Sequence, residues 1–105
     1  MDIAFDDDEL YELVKGNCIG KYKKFRSNAP LKTNLNKVMR ILTISPSFEI
    51  VKRHRSLNVE LLSGNLAGKY SLRVGYNTKY RMIFVTKNNE LQLLLIELNE
   101  HYGDS

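Results

Sequence analysis

The chain has only one cysteine, Cys18, among its 105 residues. A single thiol can form neither an internal disulfide nor a cysteine-based zinc site, and this fits a reducing compartment. No segment is apolar over the length that a membrane-spanning helix needs, and the acidic start lacks the basic residues and apolar run of a signal peptide. The acidic residues of the last third are isolated from one another. We therefore expect a cytoplasmic protein that contacts no membrane and needs neither a metal nor a cofactor.

Internal repeats, linkers and low-complexity segments are also lacking, so residues 1–105 are expected to form a single domain. Hydrophobic residues make up 43% of the chain and charged residues 27%, which are ordinary fractions for a soluble globular protein. The net charge is +4, because 16 lysines and arginines outnumber 12 acidic residues. This moderate basic excess permits binding to RNA or to an acidic protein but requires neither.

The basic residues cluster in the middle of the chain, whereas acidic residues gather at its two ends. The densest run is Lys52-Arg53-His54-Arg55. Such a run is either a solvated loop or a nucleic-acid contact, and the pattern alone does not separate the two. We take Lys52, Arg53 and Arg55, together with Lys79 further along the chain, as candidate RNA-binding residues.

The first half of the chain predicts one short strand followed by two helices. Residues 2–5 alternate weakly and indicate an edge strand, after which the acidic run Asp6–Asp8 can cap a helix over about 8–15. A second helix is capped by Asn28, continues with apolar residues at helical spacing, and ends at Ser45-Pro46-Ser47.

From residue 58 onward the apolar residues recur with a period of two, which is typical of strands. Strands are expected at about 59–62, 70–76, 79–86 and 91–98. On the second of these, one face carries four apolar or aromatic residues: Tyr70, Leu72, Val74 and Tyr76. The last strand is apolar on both faces, which indicates a central position in the sheet.

The order β-α-α-β-β-β-β predicts an α+β fold. Two N-terminal helices should pack on one face of a mostly antiparallel, twisted sheet of four or five strands. The other face should remain open.

Arg73 and Arg81 lie in consecutive predicted strands and are expected on the open face. A guanidinium there can bind a scissile phosphate through two N–H groups and stabilise the charge that develops on it. The alternative is a structural ion pair with one of three acidic residues: Glu97, Glu100 or Asp104. His101 follows the last strand, and histidine is the side chain best suited to transfer protons near neutral pH. The three residues together suit cleavage of a phosphodiester.

The last third contains four motifs that occur in a fixed order. They are Leu61-Leu62-Ser63-Gly64, Gly68-Lys69-Tyr70-Ser71-Leu72-Arg73-Val74, Tyr80-Arg81-Met82-Ile83-Phe84 and a terminal His101-Tyr102. In this combination the chain resembles the HigB branch of the RelE/ParE superfamily of bacterial type II toxins. The resemblance implies a RelE-like fold and a ribosome-dependent endoribonuclease that cuts mRNA.

The resemblance also implies roles for individual residues. In a metal-independent reaction the RNA 2′-OH would attack the adjacent phosphate and leave a 2′,3′-cyclic phosphate, with Arg73 and Arg81 stabilising the charge and His101 moving protons. Lys69 is a third cationic candidate, since Ser63 stands where many relatives have lysine, and Tyr102 could stack on a base. The implied partners are the ribosome with its mRNA and a helix-turn-helix antitoxin encoded by a neighbouring gene. DNA would be contacted only indirectly, through that antitoxin.

Two other functions are compatible with the same residues. A ParE-like toxin would poison DNA gyrase with a similar sheet and helices but would need no histidine. A small adaptor would bind only a neighbouring protein. His101 favours the nuclease over the gyrase poison, whereas Ser63 counts against it.

Overall fold

The computed structural model describes residues 1–100 of the chain. In chain order the elements are β1 (Asp2–Phe5), α1 (Asp8–Val14), a 3-10 helix (Gly20–Phe25), α2 (Ala29–Ile44), α3 (Phe48–Arg53), β2 (Glu60–Leu61), a 3-10 turn (Gly64–Leu66), β3 (Tyr70–Arg73), β4 (Arg81–Lys87) and β5 (Gln92–Asn99). The strand order across the sheet is β1-β5-β4-β3-β2. β1 runs parallel to β5, and the other neighbouring pairs are antiparallel. The predicted α+β class with a mostly antiparallel sheet is confirmed.

Each α-helix begins after a side chain that accepts a hydrogen bond from the backbone of its first turn. Asp7, Asn28 and Ser47 fill this role for α1, α2 and α3. The caps satisfy backbone N–H groups that have no partner inside the helix. The two helices predicted from the sequence are confirmed, with ends within one residue of those expected. None of the helices in residues 1–100 is long and apolar enough to cross a membrane.

Besides the short 3-10 turn at Gly64–Leu66, residues 1–100 contain two six-residue helical segments that the sequence pattern does not predict. α3 spans six residues, which is too short for a periodic apolar pattern to stand out. Its last turn holds Lys52 and Arg53, so the basic run begins in a helix and not in a loop. The 3-10 helix at Gly20–Phe25 buries Tyr22 and Phe25.

The hydrophobic core lies on one face of the sheet. The three α-helices and the 3-10 helix at Gly20–Phe25 all contribute to it. The buried residues include Leu10, Leu13, Tyr22, Phe25, Leu31, Leu35, Leu42, Phe48 and Val51 from the helices and Leu72, Met82, Phe84, Leu93 and Leu95 from the strands. β5 lies between β1 and β4, which confirms its predicted internal position. Tyr76 is an exception to the predicted core face, because β3 ends at Arg73 and Tyr76 is 85% exposed.

Asp7 connects α1 to the 3-10 helix through its carboxylate. One oxygen accepts a hydrogen bond from the backbone N–H of Glu9 at 2.9 Å, and the other forms an ion pair with Lys21. The hydrogen bond from Lys21 holds the pKa of Asp7 below its usual value. A carboxyl whose pKa is lowered in the folded state stabilises the protein above its unfolded pKa, and this stabilisation is lost as the pH falls through the folded pKa.

We therefore expect Asp7→Asn to cost stability near neutral pH and to cost less as the pH falls. Asparagine keeps the cap but loses the charge. The free energy of unfolding from urea titrations at about pH 6 and about pH 3 should show a difference between wild type and variant that shrinks at the lower pH. Asp7→Ala is the control, because it loses the cap as well as the charge and should therefore be about 1 kcal/mol less stable than Asp7→Asn at either pH. A difference that is equal at both pH values would contradict this account of Asp7.

Candidate active site

A row of polar side chains crosses four strands on the face of the sheet that points away from the core. Arg73 of β3 lies directly opposite Arg81 of β4, and Arg81 lies opposite Asn99 of β5. Glu60 of β2 lies opposite Ser71, which is two positions from Arg73 on the same face of β3. Directly opposite residues have their Cβ atoms about 5 Å apart. The register therefore brings both predicted arginines together.

Arg81 is only 2% exposed, so the prediction that it lies on an open face is wrong. Its Nη2 donates hydrogen bonds to Ser71 Oγ at 2.8 Å and to the carbonyl oxygen of Asn58 at 3.0 Å. The same nitrogen lies 3.6 Å from Oε1 of Glu60. The sequence pattern does not single out Glu60, because β2 has two residues and its pairing depends on contacts distant in sequence. The sequence does place Glu60 in a predicted strand that precedes the two strands with the arginines, and this is the signal that could have located it.

Arg73 is half-buried and touches the chain that connects α3 to β2. Its Nη2 donates to the carbonyl oxygen of Arg55 at 3.2 Å, and its Nε donates to that of Ser56 at 3.4 Å. Nη1 makes no hydrogen bond within residues 1–100 and can donate to an anion. Hydrogen bonds from both arginines thus hold the segment before β2 against the sheet. This segment covers part of the face, so the face is only partly open.

A second group of charges lies where β5 ends. Glu100 forms ion pairs with Lys24 of the 3-10 helix and with Lys79 of the β3–β4 connection. Lys79, a candidate RNA-binding residue, is therefore already partnered by an acid. His101 and Tyr102, the remaining catalytic and RNA-binding candidates at this end, lie outside the described residues. The sequence offered no signal for the contact between Lys24 and Glu100, because 76 positions separate them.

The other basic candidates lie at different distances from the arginine pair. Lys69 precedes β3 and is four residues from Arg73, which corresponds to about 13 Å along a strand. Lys52 forms an ion pair with Glu49 at 2.7 Å, and the hydrogen bond to that carboxylate raises the pKa of Lys52. Arg55 is exposed, and its backbone touches Arg73. The structure therefore brings the backbone of Arg55 to the arginine pair, whereas Lys52 is paired with Glu49 and Lys69 lies before the start of β3.

Within residues 1–100, no three histidine, cysteine, aspartate or glutamate side chains come together in a group that could hold a metal ion. Cys18 is buried, in the interior of the core cluster.

Comparisons with known proteins give a clear result for the fold. No protein-family model and no curated protein sequence matches the chain, but solved structures match over nearly its whole length. The YoeB/ParE toxin from Agrobacterium tumefaciens is 19% identical, covers 97% of this chain and 100% of its own, and has a TM-score of 0.58. The chain has the fold of the YoeB and RelE toxins.

Two complexes show the same likeness. A YoeB–YefM complex from Staphylococcus aureus is 18% identical over 97% of this chain and 98% of its own, with a TM-score of 0.57. The archaeal RelE–RelB complex from Pyrococcus horikoshii is 15% identical over 99% of this chain and 97% of its own, with a TM-score of 0.57. The predicted RelE-like fold is therefore confirmed. Assignment to the HigB branch stays a prediction, because these identities distinguish no branch of the YoeB/RelE fold.

Proposed function

We propose that this chain is the toxin of a type II toxin–antitoxin system and that it cleaves mRNA on the ribosome without a metal. The observation that carries the proposal is the row of polar side chains across β2 to β5, with Arg73 and Arg81 at its centre and Glu60 on one side. The YoeB/RelE-like fold supports it, since the similar solved structures are toxins.

The reaction needs charge stabilisation at the phosphate. As the 2′-OH attacks, negative charge builds on the non-bridging oxygens of the phosphorus. Arg73 is partly exposed and retains N–H donors, so we assign to it the contact with these oxygens. Arg81 is buried and contacts Glu60 and the segment before β2, so we assign it a positioning role.

The reaction also needs two proton transfers on opposite sides of the phosphorus. The attacking 2′-oxygen loses a proton while the leaving 5′-oxygen gains one, and the two oxygens lie roughly in line. Glu60 lies on the β2 side of the arginine pair, and the chain leaves β5 on the other side at Glu100, one residue before His101. We therefore propose Glu60 as the general base and His101 as the general acid.

The remaining basic residues would hold the RNA backbone. Lys52, Arg53 and Arg55 form one exposed group at the end of α3, and Lys69 lies beside β3. Contacts of this kind add affinity that does not depend on sequence and weakens with salt. Lys79 and Tyr102 would contact RNA on the β5 side.

We also propose an antitoxin partner, encoded by a neighbouring gene, that neutralises the chain. Two of the similar solved structures are complexes, one with YefM and one with RelB. A helix-turn-helix protein of the adjacent reading frame should protect cells when it is co-expressed.

Induced expression in a bacterial host tests the proposal. Growth and translation should stop, and new mRNA 5′ ends should map within reading frames on ribosomes. Glu60→Gln should leave mRNA intact, whereas the matched variant Glu49→Gln, an exposed glutamate on α3, should cut like wild type. Arrest with intact mRNA and altered DNA supercoiling would instead identify a gyrase poison.

A further inference from the structure

Tyr76 has the most exposed large hydrophobic side chain in the described part of the chain, at 85%. It lies in the connection between β3 and β4, directly after the strand that carries Arg73. The apolar alternation of the sequence would place its ring in the core. The fold turns it outward instead, beside the candidate active site.

The backbone is held in place on both sides of Tyr76, by a packing contact before it and by a hydrogen bond after it. Gly75 has φ +94° and lies so close to Asn34 of α2 that a Cβ would overlap the amide group of that side chain. On the other side, Thr78 Oγ1 donates a hydrogen bond to the carbonyl oxygen of Val74 at 2.7 Å. The fixed backbone of this turn therefore directs the Tyr76 side chain into solvent.

A cation lies over one face of the Tyr76 ring. The guanidinium carbon of Arg73 lies 5.4 Å from the ring centroid. The same guanidinium is held at its edge by the carbonyl oxygens of Arg55 and Ser56, so the cation beside the ring has a defined position. With the ring 85% exposed, its second face is open to solvent. Nucleobases stack on aromatic side chains, and a neighbouring arginine adds a cation–π term.

We propose that Tyr76 is a stacking platform for one nucleobase of the RNA, on the nucleotide next to the phosphate that Arg73 contacts. This inference rests on the proposed function, because it uses the phosphate site at Arg73. Arg73 would serve both groups: its Nη1 would donate to the phosphate, while its guanidinium carbon lies over the tyrosine ring, 5.4 Å from the centroid. Since stacking strength depends on the area of the base, the platform favours a purine at this nucleotide.

The first test is a kinetic cycle on ribosomes programmed with mRNA. Tyr76→Ala should raise KM by roughly 5- to 100-fold, which is the range for removal of a stacked aromatic side chain. The change in kcat should be smaller. Tyr76→Phe should behave like wild type, because it keeps the ring. The matched control is Tyr11→Ala. Tyr11 is also exposed and has a cation, Lys15, 4.4 Å from its ring centroid, but it lies on α1 against Phe5 at the far edge of the sheet.

An mRNA that lacks the base next to the cut should be bound equally by wild type and Tyr76→Ala. An effect of Tyr76→Ala that persists unchanged on that mRNA overturns the proposal.

The second test needs no cleavage. The chain contains no tryptophan, so Tyr76→Trp places its single tryptophan on the platform. A 2′-O-methyl trinucleotide, which cannot be cut, should quench its fluorescence, and the same trinucleotide without its bases should not.

The two tests separate this inference from the proposed function. If wild type cuts no mRNA but base-dependent quenching occurs, the nuclease proposal is wrong and the platform stands. If wild type cuts mRNA and quenching is absent or independent of the bases, the platform is wrong. Quenching by a co-expressed antitoxin alone, and not by RNA, would show that Tyr76 is a protein contact and would also overturn the inference.

Discussion

Arg81→Ala is expected to lower the free energy of unfolding by about 2–4 kcal/mol, because it leaves buried hydrogen-bonding groups without a partner. Arg81 is 2% exposed, and its side chain donates to Ser71 Oγ, which is also buried, and to the carbonyl of Asn58. A loss of this size is a large share of the total stability of a small domain, which is about 5–15 kcal/mol. Urea unfolding monitored by circular dichroism measures it.

Arg73→Ala provides the matched control. Its hydrogen bonds go to the carbonyl groups of two exposed residues, Arg55 and Ser56, which water can satisfy after the substitution. We expect a stability loss below about 1 kcal/mol for Arg73→Ala but a fall of about 100-fold in cleavage rate. Equal stability losses in the two variants would show that burial does not distinguish the two arginines. Loss of toxicity in Arg81→Ala is informative only at a temperature where the variant is folded.

The sequence predicts most of the fold because its signals are local. A change of apolar period at residue 58 marks the start of the strands, and Asn28 marks the start of α2. α3 is not predicted, and β2 is shorter than the strand expected at about 59–62, since six and two residues carry too little pattern. The position of β1 beside β5 also follows from tertiary packing and not from any local motif.

The candidate site is predicted only in part, for a related reason. Alternation places Arg73 and Arg81 on one face, and the antiparallel register then brings them together. The burial of Arg81 depends on the segment before β2, where Asn58 adopts φ +43°, and no local pattern specifies that path. Tyr76 was predicted on the core face although Gly75 precedes it. A glycine inside an alternating run often marks the end of regular pairing, and this signal could have located the exposed tyrosine.

Glu60→Gln is expected to slow cleavage by roughly 100- to 10,000-fold, the range for loss of a general acid or base, with little change in stability. Glutamine keeps the shape of the side chain and can still accept the hydrogen bond from Asn58 Nδ2, which is 3.0 Å long. The ion pair with Arg81 is 3.6 Å long, and the Glu60 side chain is 49% exposed, so its loss should cost at most about 1 kcal/mol. Single-turnover rates with ribosome-bound mRNA, together with unfolding curves, measure both effects.

His101→Gln is expected to slow cleavage by a similar factor, and a modified substrate separates the two roles. When sulfur replaces the leaving 5′-oxygen, the thiolate departs without a proton, so a general acid is no longer needed. His101→Gln should then regain most of the wild-type rate, whereas Glu60→Gln should stay slow because the 2′-OH still has to lose its proton. Rescue of Glu60→Gln alone would reverse the two assignments. Failure of sulfur to rescue either variant would show that neither residue protonates the leaving oxygen, and Arg73, Arg81 and Lys69 would then be the remaining candidates to offset its negative charge.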